Sequence, residues 1–281
     1  MPEQTSHASH IRSTVQESLV SATQRYMAAM VAHRPADAPL AAHFRGTENG
    51  LEIAAGEGLW RCVDRFASSQ TFTDAESGEV VTIGALETQG ALYPYALRLK
   101  VVNEEVTESE LLRSSSTQGH FAAVEQLLKP DVIYDAPVPP QRACRSREEL
   151  RDVADRYWTA LNESDGTLAK FSSRCDRYAN GKKITNNLAL LLSPDAAVHT
   201  PASLLTATRP ARPKVLERRF PVLDIERGVA ISFALVEFQP SGGRKDFGNF
   251  YICGLVKVVD DEFRNIDHIH EIMPRGAVSG W

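Results

Sequence analysis

The chain has few of the features that mark out the common functional classes. Its 281 residues include four cysteines, Cys62, Cys144, Cys175 and Cys253, which stand singly with no Cys-x-x-Cys pair. Neither a zinc site nor a disulfide framework is predicted, and the thiols are read as reduced, in a cytoplasmic protein. There is no excess of positive charge: 31 Lys and Arg against 36 Asp and Glu leave a net charge of −5, which gives nucleic acid no basic field to hold. No window approaches the roughly 18 apolar residues of a membrane span. The stretch Met1 to Ile11 is polar and lacks the basic-then-apolar order of a secretory signal. A Gly-rich phosphate loop, a dinucleotide fingerprint and G-x-S-x-G are all missing, and no Ser-His-Asp spacing stands out. Nucleotide cofactors and nucleophilic hydrolysis are therefore not expected. No cofactor and no metal ligand set is predicted.

What the chain does contain is an internal repeat. Arg25-Tyr26 and Asn49-Gly50 recur as Arg156-Tyr157 and Asn180-Gly181, at an offset of 131 residues, as do Ala29 and Ala38 at Ala160 and Ala169. Asp74-Ala-Glu-Ser-Gly78 recurs as Asp224-Ile-Glu-Arg-Gly228, at an offset of 150. Lys100-Val-Val-Asn-Glu-Glu105 recurs as Lys257-Val-Val-Asp-Asp-Glu262, at an offset of 157. The offsets rise in chain order, as insertions in the second copy would make them. The boundaries predicted are a disordered stretch 1–14, a first unit 15–112, a linker 113–145 and a second unit 146–281.

Each copy opens on a helical pattern. Leu19, Ala22, Tyr26 and Met30 recur at helical spacing in the first, and Leu150, Val153, Ala154, Tyr157 and Leu161 in the second, where Ser146 and Glu149 form a capping-box signature. Turn-rich segments ending in Asn-Gly follow. The Asp-x-Glu-x-Gly motif then predicts hairpins joining Gln70–Thr73 to Val80–Thr88 and Arg219–Leu223 to Val229–Phe238. Pro240 to Gly243 marks another turn, and Phe247 to Val259 and Phe263 to Ile272 read as the last strands. Helices followed by antiparallel strands predict an α+β fold with helices on one face of a sheet. The linker carries a helical pattern over Phe121 to Leu128 and the Pro-rich run Asp135 to Pro140. It reads equally well as a strap between the copies or as a plain connector.

This element order, the closing "GLVKVVDDEFRNIDHIHEI", and the segments "YMAAMVAHRPADAPLAAHFRGTENG", "GEGLWR" and "VSGW" resemble a tandem SnoaL-like member of the nuclear transport factor 2-like superfamily. The resemblance implies two cone-shaped folds, in each of which helices pack on a strongly curved antiparallel sheet around a mostly apolar pocket. It implies cofactor-independent acid–base chemistry, and sheets that pair face to face, either within the chain or in a homodimer. Similarity to the diarylpropane lyases of lignin-dimer catabolism implies elimination through a quinone methide, release of formaldehyde and a stilbene product. The alternatives are a dehydratase or isomerase of a polyketide- or steroid-like substrate, and a non-catalytic ligand-binding or interaction module. The expected partner is a small apolar or aromatic molecule.

Candidate catalytic groups are Tyr26 and Tyr157 on the opening helices, Glu48, Tyr95, and the cluster Asp267, His268 and His270. Strand alternation puts the two histidines on one face and Asp267 on the other. Histidine titrates near neutrality, and a dry pocket shifts such groups further. Candidate substrate contacts are His43, Asn49, Trp60, Arg61, Tyr93, Tyr134, His199 and Phe250. A bland role competes with the functional one: core packing for the tyrosines, an inert interface for His268 and His270, and plain surface positions for His43, His199 and Tyr134. Tyr26 and Tyr157 are also core tyrosines by spacing, and Asn49 beside Gly50 is a turn residue.

Overall fold

A computed structural model of the chain describes residues 2–119, 122–192, 197–239 and 248–281. The Pro240–Gly243 turn lies outside these residues, as do the first residues of two expected segments, Phe121 and Phe247. Helix α1 (Pro2–Val31) runs through the stretch expected to be disordered. It leads into β1 (Leu40–Glu48), β2 (Leu51–Ile53), β3 (Val63–Asp74), β4 (Glu79–Thr88), β5 (Ala91–Val102) and β6 (Glu105–Arg113). The second copy has α2 (Arg147–Glu163), β7 (Phe171–Ala179), β8 (Lys182–Lys183), a short α3 (Pro201–Ala207), β9 (Lys214–Asp224), β10 (Val229–Glu237), β11 (Asn249–Val259) and β12 (Glu262–Met273). The sheets have the same order, β2-β1-β6-β5-β4-β3 and β8-β7-β12-β11-β10-β9. Both are mixed, because β1 runs parallel to β6 and β7 to β12.

The repeated motifs are the turns that set these ladders. Asn49-Gly50 and Asn180-Gly181 are two-residue hairpin loops between Glu48↔Leu51 and Ala179↔Lys182. All four loop residues have positive φ, as a type I′ turn requires. Each asparagine side chain also clamps the end of its sheet. Asn49 donates to the Arg113 carbonyl (3.0 Å) and accepts from its N–H (2.9 Å), and Asn180 does the same with His270 (3.2 and 2.9 Å). Asp74 and Asp224 accept from the backbone N–H groups of their own turns. Asn180 is fully buried and also donates to Ser114 Oγ. Asn180→Ala is therefore expected to cost about 2 kcal/mol, since it orphans buried groups, and the half-buried Asn49→Ala less. Chemical denaturation of the two variants checks the order.

Helix packing follows from the apolar stripe. Leu19, Ala22, Tyr26, Ala29 and Met30 of α1 pack on Val80, Leu86, Tyr95, Leu97 and Leu99, and the corresponding face of α2 packs on Ala230, Ala234, Ile252 and Val256. Ser146 caps α2 by accepting from the Glu149 N–H (3.1 Å). The opposite face of each sheet is buried against the other sheet. Phe72, Val81, Ile83, Ala96 and Leu112 meet Val222, Ile231, Phe233, Tyr251, Cys253 and Leu255 there. The layers are thus helix, sheet, sheet, helix. Strands covered on both faces explain the largely apolar runs Val80 to Leu86 and Val229 to Leu235, each broken by one hydroxyl residue, Thr82 and Ser232.

The linker is packed between the units. It forms single 3-10 turns at Val124–Leu128 and Val132–Tyr134 in place of the predicted helix, and Leu127, Ile133 and Tyr134 join the inter-sheet core. Asp74 ties the units from the far side, with Arg147 Nη2 at 2.7 Å and the Leu223 N–H at 3.0 Å.

The cone does not form. Neither sheet is closed or strongly curled, so the α+β order of elements holds while the two nuclear transport factor 2-like cones do not. The resemblance to the SnoaL-like proteins and the diarylpropane lyases, and the barrel description, are corrected with it. The physical reason is that period and turn motifs specify which strands pair. Curl depends on bulges and on what packs against each face. Here the other sheet and the linker pack against one face of each sheet, and helices against the other.

Candidate functional site

Strand β12 separates two environments. His268 and His270 face α2, and Asp267 faces the first unit, as the alternation requires. On the helix side His268 is buried, stacked on Trp158 (5.6 Å between centroids, 12° between planes) and edge-on to Tyr157 (5.2 Å). Its Nδ1 accepts from Arg177 Nη2 at 3.3 Å, so the proton sits on Nε2. Burial, then Arg177 and His270, hold it well below the usual histidine range. His270 is pushed down to about 4 by burial and by Arg177, and packs on Phe250 (5.5 Å). Both imidazoles are neutral at pH 7 and belong to the packed layer. Burial likewise raises the Tyr157 phenol.

The first unit uses its candidates in the same way. Tyr26 is buried edge-on to Trp60 (5.1 Å) and its phenol is raised to about 12 by burial. Glu48 Oε2 accepts from the Leu59 N–H (2.8 Å) and so pins the Trp60 turn. Tyr95 pairs with Ser69 Oγ (2.7 Å), and Tyr93 lies under Arg113 (4.8 Å). Arg61 is exposed, with its Nε on the Gly56 carbonyl (3.2 Å), and His43 is exposed on β1. His199 Nδ1 lies 3.2 Å from Ser203 Oγ before α3. Of these, Tyr26, Glu48 and Trp60 lie together, at the packed layer of the first unit.

Two candidates do meet at a cavity. Tyr134 from the linker donates to Asp267 Oδ2 at 2.5 Å, and Asn265 Nδ2 donates to the same oxygen (3.0 Å) and to Tyr134 Oη (3.1 Å). The cavity beside them measures about 260 Å³. Its walls come from three parts of the chain: Gln70, Ile83 and Gly84 of the first unit, Leu127, Lys129 and Asp131 of the linker, and Tyr178, Leu255 and Ile269 of the second unit. Gly84 is required there, because a Cβ would lie 2.2 Å from the Ser68 carbonyl oxygen. Ser68 Oγ in turn donates to the Leu127 carbonyl (2.6 Å) and anchors the linker over the cavity.

Burial raises the Asp267 carboxyl to about 7, with the Tyr134 hydrogen bond lowering it and Asp131 raising it further. Tyr178 is raised to about 12 by burial and by Asp176, Asp267 and Asp131. A carboxyl whose folded pKa exceeds its unfolded value holds more protons in the native state. Its contribution to stability is full below about pH 4 and declines as pH rises toward 7, by up to about 1.4 kcal/mol per pH unit. Asp267→Asn is expected to flatten that part of the stability profile while keeping an acceptor for Tyr134. Unfolding midpoints from pH 4 to 8 check it.

Sequence reasoning missed Gln70, Asp131 and Tyr178. Asp131 carried one local signal, a proline before it and a turn after it, and its Oδ1 does cap the Val132–Tyr134 turn at 3.0 Å. Among the described residues no group of three or more His, Cys, Asp and Glu side chains is arranged to hold a metal ion.

Fold and site together define a duplicated α+β protein with a cavity between its two sheets. Residues 143–273, most of the second unit, match the model of a domain of unknown function (DUF8021). No curated protein matches the chain. The expectation of a cofactor-free lyase on aromatic substrates is corrected, and the dehydratase and isomerase readings with it. The resemblance that implied this chemistry rests on a pocket enclosed by a curved sheet, and the sheets do not supply one. The tyrosines and histidines named as candidate acids and bases, Tyr26, Tyr95, Tyr157, His268 and His270, are all buried.

Proposed function

We propose that the chain binds a small molecule in the cavity between its two units, at Tyr134 and Asp267. The observation that carries this reading is the cavity itself, which places a half-buried carboxyl held near pH 7 among apolar walls from three chain segments. A concave, mostly apolar space with a few convergent polar groups is the usual form of a small-ligand site. Ile83, Leu127, Leu255 and Ile269 suit an apolar or aromatic body, and Asp267, Tyr134, Tyr178 and Gln70 suit a polar end.

Each inner sheet face is covered within the chain, so the reading needs no second copy. Among the described residues no helix is long and apolar enough to cross a membrane. We place the protein in the cytoplasm, which four unpaired cysteines support.

A thermal-shift screen of the full chain against fragments, with hits mapped by amide chemical shifts, tests the proposal. Hits are expected to move resonances of Asp131 to Tyr134 and of Asp267, and to weaken in Asp267→Asn. Hits that map elsewhere and ignore that substitution would remove it.

A further inference from the structure

The duplication makes the two poles of the sheet–sheet interface comparable residue by residue. Glu110 and Asp267 are equivalent, because each lies at the 157-residue offset and faces equivalent partners, Arg98 and Leu255, on the neighbouring strand. Arg219 lies opposite Phe233 and Gln70 lies opposite Ile83, and those two partners stand at the 150-residue offset. In ladder register, then, Gln70 holds the place of Arg219. Tyr251 corresponds to Pro94 in the same way, since they pair with Leu235 and Ala85.

At the first pole the acid is complete. Glu110 is fully buried and takes a two-pronged pair from Arg219 (2.6 and 3.1 Å), with the Tyr251 hydroxyl on the same carboxylate. At the second pole the arginine is missing. Gln70 turns away to the Asp131 carbonyl (3.1 Å) and the Asp135 carboxylate (3.2 Å). Tyr134 replaces Tyr251 as the phenol donor, and the space of the guanidinium is the cavity. The groups facing Asp267 are Tyr134, Asp131 and Lys129 of the linker, Tyr178 of β7, Asn265 of its own strand, and Gln70. Among the described residues Asp267 has no ion pair.

Resting on the small-molecule reading above, we infer that the cavity takes a monocation, an ammonium or amidinium carried on a small apolar body, whose charged end stands at Asp267 as Arg219 stands at Glu110. Asp131 adds a second negative charge and Lys129 one positive charge, which leaves the lining net negative when Asp267 is ionised, and the apolar walls take the body. A bound cation favours the ionised carboxylate, so binding below pH 7 is coupled to release of a proton from Asp267.

The test is calorimetry on the full chain with benzylamine, benzamidine, benzyl alcohol and benzoate. The cations are expected to bind at least tenfold more tightly than the alcohol, with benzoate weakest, and to gain affinity from pH 5 to pH 8. Asp267→Asn is expected to abolish the preference for the cations. Gln70→Arg, which rebuilds the first pole's arrangement, is expected to block the cations and raise the thermal midpoint, so the idea stays testable if the Asp267 variant fails to fold. Equal binding of alcohol and amine would overturn the cationic class while leaving a small-molecule site. Binding of none of the four, with Gln70→Arg leaving the midpoint unchanged, would overturn both.

Discussion

Arg219→Ala is expected to lower the unfolding free energy by about 3–5 kcal/mol near pH 8, the cost of leaving a buried carboxylate without its partner. Glu110 has no solvent exposure, and among the described residues the only other cation paired with it is Arg98, whose Nη1 lies 3.5 Å away. Arg98 is already engaged by Glu79 (2.5 Å) and Glu108 (2.7 Å), so it cannot turn to replace Arg219. Burial holds the Glu110 carboxyl above the ordinary range, and Arg219 and then Arg98 draw it back down. Without Arg219 the carboxyl keeps its proton to a higher pH. The loss is therefore expected to be smaller at pH 5, where protonation relieves the orphaned charge, than at pH 8. Urea unfolding at both pH values measures it. A loss under about 1 kcal/mol at pH 8 would show that the pair behaves like an exposed one.

The repeat was legible because its motifs are turns, and turns are local. Asn-Gly and Asp-x-Glu-x-Gly each need particular backbone angles or an adjacent side-chain acceptor, so the residues survive in both copies and report the offsets directly. Those offsets then align Asn49 with Asn180 and Glu110 with Asp267 across the two sheets. The opening strands β1 and β7 look like turn-rich segments in the sequence, because their mixed burial gives no clean alternation. Curl left no local mark at all, and the reading of a cone came from resemblance alone. The candidate residues are divided between the two sides of the second sheet for a related reason. Asp267, His268 and His270 are neighbours in sequence, but alternation sends them to opposite faces of β12. The cavity is built from segments near positions 70, 131, 178 and 267, which no spacing rule connects. Tyr134 could be singled out in the linker, but its partner could not.

Trp158 gives the second large effect, because the two units solve the same packing problem with different side chains. In ladder and helix register Trp158, Gly254 and His268 correspond to Met27, Leu97 and Leu111. The second unit enlarges the helix residue and removes the strand side chain beneath it. A Cβ on Gly254 would lie 3.1 Å from both Trp158 Cζ2 and Ser232 Oγ, the atom to which the indole N–H donates at 3.0 Å. Trp158→Ala is expected to cost about 3–5 kcal/mol, from the cavity left and the lost indole hydrogen bond. Gly254→Leu alone is expected to cost about 3 kcal/mol by overpacking. Together, Trp158→Met and Gly254→Leu rebuild the arrangement of the first unit. The pair should cost less than the sum of the single changes by at least about 1 kcal/mol. A thermal denaturation cycle over the four proteins decides this, since strict additivity would mean that tryptophan and glycine do not share one space.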